Sequence, residues 1–115
     1  HLPVEITFVD KEDRVQYFNG GENRIFPRTP AVIGRHVAQC HPPSSVHVVE
    51  EIIGAFRLGQ QREASFWLTV NGRFIYILYR ALYDDEGQYA GTLEISKDVT
   101  SIRDLQGERR LLQWE

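Results

Sequence analysis

Polar and apolar residues alternate over Glu5 to Asp10, a charged run reaches Asp13, and an extended pattern resumes over Arg14 to Asn19. This predicts a β-hairpin. Gly20-Gly21 breaks it, and Glu22 to Gly34, interrupted by Pro27 and Pro30, predicts short helical turns instead of one long helix. A helix is expected over Ser44 to Leu58. His41 is held extended by Pro42, Pro43 suits the first helical position, Ser44 is a rival cap, and Gly59 supplies the stop. Stepped at 100° per residue, Val46, Val49, Ile52, Ile53 and Phe56 share one face, and His47, Glu50, Glu51, Gly54 and Arg57 share the other.

From Glu63 the period becomes two. Glu63 to Val70, Asn71-Gly72 and Arg73 to Tyr83 read as a hairpin on a type I′ turn. Asp84 to Gly87 is a second turn, and Tyr89 to Val99 is the last strand of an antiparallel meander. The strand Arg73 to Tyr83 is apolar on both faces, with Phe74, Tyr76, Leu78 and Leu82 on one and Ile75, Ile77, Tyr79 and Tyr83 on the other. A sheet with one wet face would alternate apolar with polar. Its outer face is therefore expected to be covered, by a flanking helix or by a second copy, with Ile75, Ile77 and Tyr83 as candidate interface residues and a homodimer as the expected assembly. Ser101 and Asp104 match a capping box, so a helix is expected to begin there and run toward the C-terminus. Ile102, Leu105 and Leu112 have a/d-like spacing, but Arg109 occupies a seam position and Gly107 weakens the interior.

Composition narrows the function more than the fold. With 115 residues there is room for one core and one module. Thirteen Lys and Arg against sixteen Asp and Glu, net charge −3 with no like-charge block, argue against a nucleic-acid surface. No apolar run is long enough for a bilayer or a signal peptide, and the single cysteine, Cys40, fits a reducing compartment, so a cytoplasmic location away from membranes is expected. The chain opens on His1 and closes on Trp114-Glu115 without punctuation, as a piece excised from a longer protein would. The expected organisation is a core over residues 1–100 and the start of a flanking output helix over 101–115.

This order of elements resembles the PAS fold, an α+β architecture whose five-stranded antiparallel sheet carries a helical cluster on one face and continues into a C-terminal helix. The hairpin Asp10 to Asn19, Ile33-Gly34 and His41-Pro42 fit that pattern, and Gly91-Thr92-Leu93-Glu94-Ile95 followed by Asp98-Val99-Thr100 is similar to the closing strand and Asp-Ile-Thr signature, with Val in place of Ile. The run Cys40 to Val46, the Gly91 to Glu94 strand and Gly107 to Leu112 resemble the PAS subfamily that follows hemerythrin-like, cation-binding domains in bacterial and archaeal proteins. The resemblance implies a sensory module, an upstream hemerythrin-like domain, and a signal junction at Asp98 and Thr100. It names no ligand.

Candidate sites follow from residue chemistry. His36, Cys40 and His41 are the one cluster of soft and borderline metal ligands, and a haem or a metal are the cofactors they raise. A closed zinc site needs four ligands at spacings absent here, so the plainer account makes His41 a turn residue and Cys40 a small buried hydrophobe. His47, the histidine of the long helix, falls opposite its apolar face beside Glu50 and Glu51, which disfavours a haem ligand there. Cys40 lies six residues beyond Gly34, outside the Gly-x-Asn-Cys context of flavin-binding PAS domains, which disfavours flavin. Trp67 is a candidate pocket wall or interface anchor, Tyr79 is a candidate pocket residue, and Arg80 is a candidate partner for a carboxylate or phosphate ligand, with an ion pair to Glu94 or Asp98 as its plainer role. No Ser-His-Asp order, HExxH, phosphate loop or CxxC is present, so no enzymatic activity is expected. Two functions remain: a ligand-binding regulatory module using Cys40, His41, Trp67, Tyr79 and Arg80, or a dimerisation scaffold whose core is filled by its own side chains.

Overall fold

The computed structural model describes residues 3–20 and 24–111. Strands β1 (Glu5–Asp10) and β2 (Val15–Phe18) form the first hairpin. Its turn is held by Asp10, whose Oδ1 accepts from the backbone N–H groups of Glu12 and Arg14. Part of the Gly20-Gly21 break and of the irregular stretch after it falls on 21–23, outside the described residues. Beyond it the chain crosses one face of the sheet in 3-10 turns at Pro30–Val32, Val37–Cys40 and Pro43–Ser45, followed by helix α1 (Val46–Arg57). The prolines cause this segmentation, since each removes a donor and fixes φ. Strands β3 (Glu63–Val70), β4 (Arg73–Tyr83) and β5 (Tyr89–Asp98) then form the meander. Asn71 at φ 50° and Gly72 at φ 77° make the expected two-residue turn.

The sheet is antiparallel throughout, in the order β2-β1-β5-β4-β3. The last strand therefore lies in the centre, between β1 and β4. Val9, Val15, Val37, Val49 and Ile53 form the core, with Val32 and Cys40 packed against it. Phe56 is also buried, and its carbonyl accepts from Tyr83 Oη at 2.7 Å, which ties α1 to β4. Arg57 anchors the end of α1 on the first hairpin through Asp13 Oδ1 at 2.6 Å and the Lys11 carbonyl at 2.9 Å.

Three expectations are corrected. Neither Ser44 nor Ser45 caps α1 by its side chain; a 3-10 turn opened by Pro43 leads into it. The capping box at Ser101 does not form, because α2 starts one residue earlier and is a single turn, Thr100–Arg103. Leu105 lies beyond it and is exposed, and Leu112 lies outside the described residues, so among the described residues no helical seam forms after α2. The faces of β4 are also reversed. Ile75 (0% exposed) and Ile77 are buried in the core and Tyr83, half-buried, turns its hydroxyl to α1, so none of the three lies on the outer face. The face turned away carries Tyr76 and Leu78, beside Leu93 and Ile95 of β5 and Trp67 of β3.

Candidate functional site

Alternation along β5 brings Thr92, Glu94 and Ser96 to the inner face, where all three are buried, and turns Leu93 and Ile95 outward. A buried carboxylate requires compensation, and Glu94 receives it from outside the sheet. Arg28, in the crossing segment, places Nη2 3.9 Å from Glu94 Oε2, with both side chains close to nine-tenths buried. Behind this pair, Arg24 lies 3.6 Å from Glu5 and donates to Phe26 O at 3.2 Å and to Thr7 Oγ1 at 3.4 Å. The carboxylate of Glu5 accepts from the backbone N–H groups of Ile25 and Phe26, fixing the start of the crossing segment on β1. Among the described residues, the buried Arg24 Nε and Arg28 Nε have no hydrogen-bond partner.

Of these charges Arg28 and Glu94 line a groove of about 650 Å³ between sheet and helices, a size suited to a small molecule. Val48, Val49 and Ile52 of α1 form one wall, Phe66, Leu68, Ile77 and Tyr79 the other, and Phe26, Pro27, Cys40 and His41 border it. Phe66 and Leu68 face the helical layer yet stay 39% and 40% exposed, because α1 does not extend over β3. A narrow void of about 20 Å³ lies beside the groove and shares His41, Ile52, Tyr79 and Glu94.

Burial pushes the Glu94 carboxyl up from its ordinary value, with Arg28, His41 and Arg24 opposing and Glu5 assisting. Burial, reinforced by Glu94, likewise raises the Tyr79 phenol and keeps it protonated. A carboxyl raised on folding binds its proton more tightly in the native state, so its stability contribution falls as pH climbs from 4.5 through the raised value. Relative to a Glu94→Gln variant, the protein should therefore lose stability over that window, measured by urea unfolding at several pH values. Parallel profiles would refute the assignment. Asp98 has the opposite sign: hydrogen bonds from Thr100 hold its carboxyl below 3.8, so that contribution disappears under strong acid.

The residues singled out from sequence divide. Cys40, His41 and Tyr79 border the groove. Trp67 does not; it lies opposite Tyr76 on the outer face and is 63% exposed. Arg80 also points outward, and its partner is Glu63, at 2.6 Å, instead of Glu94 or Asp98. This exposed pair contributes little to stability. The His36, Cys40 and His41 cluster does not converge. His36 Nδ1 accepts from Ala38 N–H at 3.1 Å, His41 Nδ1 meets the Val37 carbonyl at 3.0 Å, and the Cys40 thiol points to the His36 carbonyl at 3.9 Å. Among the described residues no three His, Cys, Asp or Glu side chains are placed to hold a metal. His47 is exposed, as its helical position predicts.

At the other end of β5, Asp98 Oδ1 accepts from Thr100 N–H at 3.0 Å and from its hydroxyl at 2.6 Å. The Thr100 oxygen in turn accepts from Phe74 N–H at 2.9 Å, and Arg103 lies 4.1 Å from the centre of the Phe74 ring. The predicted junction thus ties α2 to the start of β4, the strand whose Ile77 and Tyr79 wall the groove.

A five-stranded antiparallel sheet with a central last strand, cupping a groove under one helix, defines a class of small α+β modules. The chain belongs to the PAS domain family, whose profile matches residues 1–100. It is similar to a C-terminal domain from Streptococcus mutans, with 37% identity over 92% of this chain and 83% of that one and a TM-score of 0.84. The PAS domain of BvgS from Bordetella pertussis has 22% identity over 85% and 78% of the two chains, with a TM-score of 0.66. A sensory box sensor histidine kinase from Vibrio cholerae shares 13% identity over 86% and 83%, with a TM-score of 0.67. These last two show the common fold. No curated protein matches the chain significantly. Among the described residues no helix is long and apolar enough to cross a membrane.

Proposed function

We propose that this domain is a regulatory sensory module that binds a small ligand in the groove and relays its occupancy through Asp98, Thr100 and Phe74 to the chain beyond β5. One observation carries this reading: inward-facing Phe66 and Leu68 are left uncovered in line with a buried, incompletely paired Arg28 and Glu94. A scaffold with a filled core has no reason to leave such a space. The fold shared with the Vibrio cholerae sensor histidine kinase supports the same reading. The motif run Cys40 to Val46 supports placement after a hemerythrin-like domain in a cytoplasmic protein. Coupling requires the ligand to favour one of two arrangements of the junction.

Native mass spectrometry and an absorbance spectrum of protein purified without added cofactor test this reading. The expected result is a co-purifying small molecule, together with altered amide exchange at Thr100–Arg103 once it is stripped. A clean unliganded mass, with exchange at α2 indifferent to every added compound, would favour the scaffold. That second reading has its own support in the apolar outer face formed by Leu78, Leu93 and Ile95, the face on which a second copy would pair.

A further inference from the structure

The buried end of the groove is specific about chemistry. Arg28 has five donors, yet among the described residues its Nη1 reaches only the neighbouring Pro27 carbonyl at 3.3 Å, its Nη2 stands 3.9 Å from Glu94, and its buried Nε has no hydrogen-bond partner. A charge-assisted hydrogen bond is shorter, about 2.7–2.9 Å, so Glu94 balances the charge without satisfying the donors. Glu5, the other nearby carboxylate, is occupied by backbone N–H groups. A buried guanidinium with unspent donors fits a planar acceptor that can engage it at two points. In the opposite direction the groove is apolar. From Glu94 on β5 it passes Ile77 on β4 to Phe66 and Leu68 on β3, two strand spacings or about 10 Å.

We infer that the groove takes an amphiphilic carboxylate, its head on Arg28 and its apolar body across Ile77 to cover Phe66 and Leu68, an inference that rests on the groove being a ligand site. A phosphate head is the poorer match, since a dianion beside Glu94 would meet stronger repulsion than a carboxylate. The ligand head brings a negative charge next to Glu94, and this carboxyl, whose affinity for a proton burial raises, is the group that would take one up on binding.

The test is a titration of the domain below micellar concentration with decanoate, decan-1-ol and decyltrimethylammonium, followed by calorimetry and by amide shifts of α1, β3 and β4. Decanoate should bind at least about tenfold more tightly than decanol, the increment of one charge-assisted contact, and decyltrimethylammonium should bind most weakly. Arg28→Gln should bring decanoate down to the level of decanol, with Arg28→Lys retaining part of the preference. Decanol equal to decanoate in the wild-type protein, with shifts at the same residues, would overturn the carboxylate head while leaving the ligand site standing. If none of the three moves a groove resonance, the ligand site itself fails with it. The comparison among the three probes uses unaltered protein and does not depend on the stability of any variant.

Discussion

Ile75→Glu should leave the domain unfolded, whereas Leu93→Glu, one strand away on the opposite face, should leave it folded. Ile75 has no exposed surface and lies on the same side of β4 as Ile77. Removing its buried side chain costs roughly 2–5 kcal/mol, and introducing a carboxylate with no partner adds several more. That loss approaches the whole stability of a small domain, about 5–15 kcal/mol. Leu93 is only partly buried and faces away from the helices, so its substitution alters a surface. Circular dichroism and one-dimensional NMR distinguish the two outcomes, and size-exclusion chromatography adds a readout of assembly. A homodimer built on the outer face should dissociate in the Leu93→Glu variant while each subunit keeps its fold. A folded Ile75→Glu protein with native melting would show that the assignment of faces is wrong.

Gly91→Ala should be the most damaging small substitution in the sheet. Gly91 lies in the centre of the sheet, opposite Asp10 on β1 and Leu82 on β4, at φ 153°. A methyl there would stand 2.4 Å from the Val9 carbonyl oxygen and 2.8 Å from Phe8 Cε1. The first obstacle is backbone held on both sides by ladder hydrogen bonds, so it cannot rotate away as a flexible side chain would. Strain and overpacking together should cost about 3 kcal/mol or more, a fall in melting temperature of roughly 10 °C or more for a domain of this size. Thermal and urea unfolding measure the loss directly. A change below about 0.5 kcal/mol, the level of an ordinary surface substitution, would mean that β1 shifts aside without penalty.

Much of the architecture was legible from local chemistry. The turn at Asn71-Gly72, the apolar stripe of α1 through Val49, Ile53 and Phe56, and the three-strand meander each arise from residues close in sequence. Asp98 and Thr100 were singled out through the resemblance, and the hydrogen bonds that join them span two residues. The site was legible in part. Cys40, His41 and Tyr79 do border the groove, but Trp67 and Arg80 were assigned to it from a strand pattern that says which residues share a face and not where that face turns. Arg28 gave no signal, because the stretch Phe26-Pro27-Arg28 has no period from which to read an orientation. Glu94 shares a face with Thr92 and Ser96 by alternation, but that this face is buried follows only from the central place of β5 in the sheet and the charges laid over it.

By itself the sequence determined the elements, their turns and the pairing of neighbours, because propensity, turn conformation and periodicity act over a few residues. Only the tertiary structure decided which face of each strand is the interior. On β5 it buries the polar set and turns Leu93 and Ile95 to the outer face, where they are only partly buried, against the preference of the strand taken alone. The physical reason lies in residues distant in the chain: Arg28 and Arg24 reach β5 only once the crossing segment is laid over the sheet. There Arg28, 3.9 Å from Glu94, and Arg24 beyond it supply the positive charge that makes a buried Glu94 tolerable.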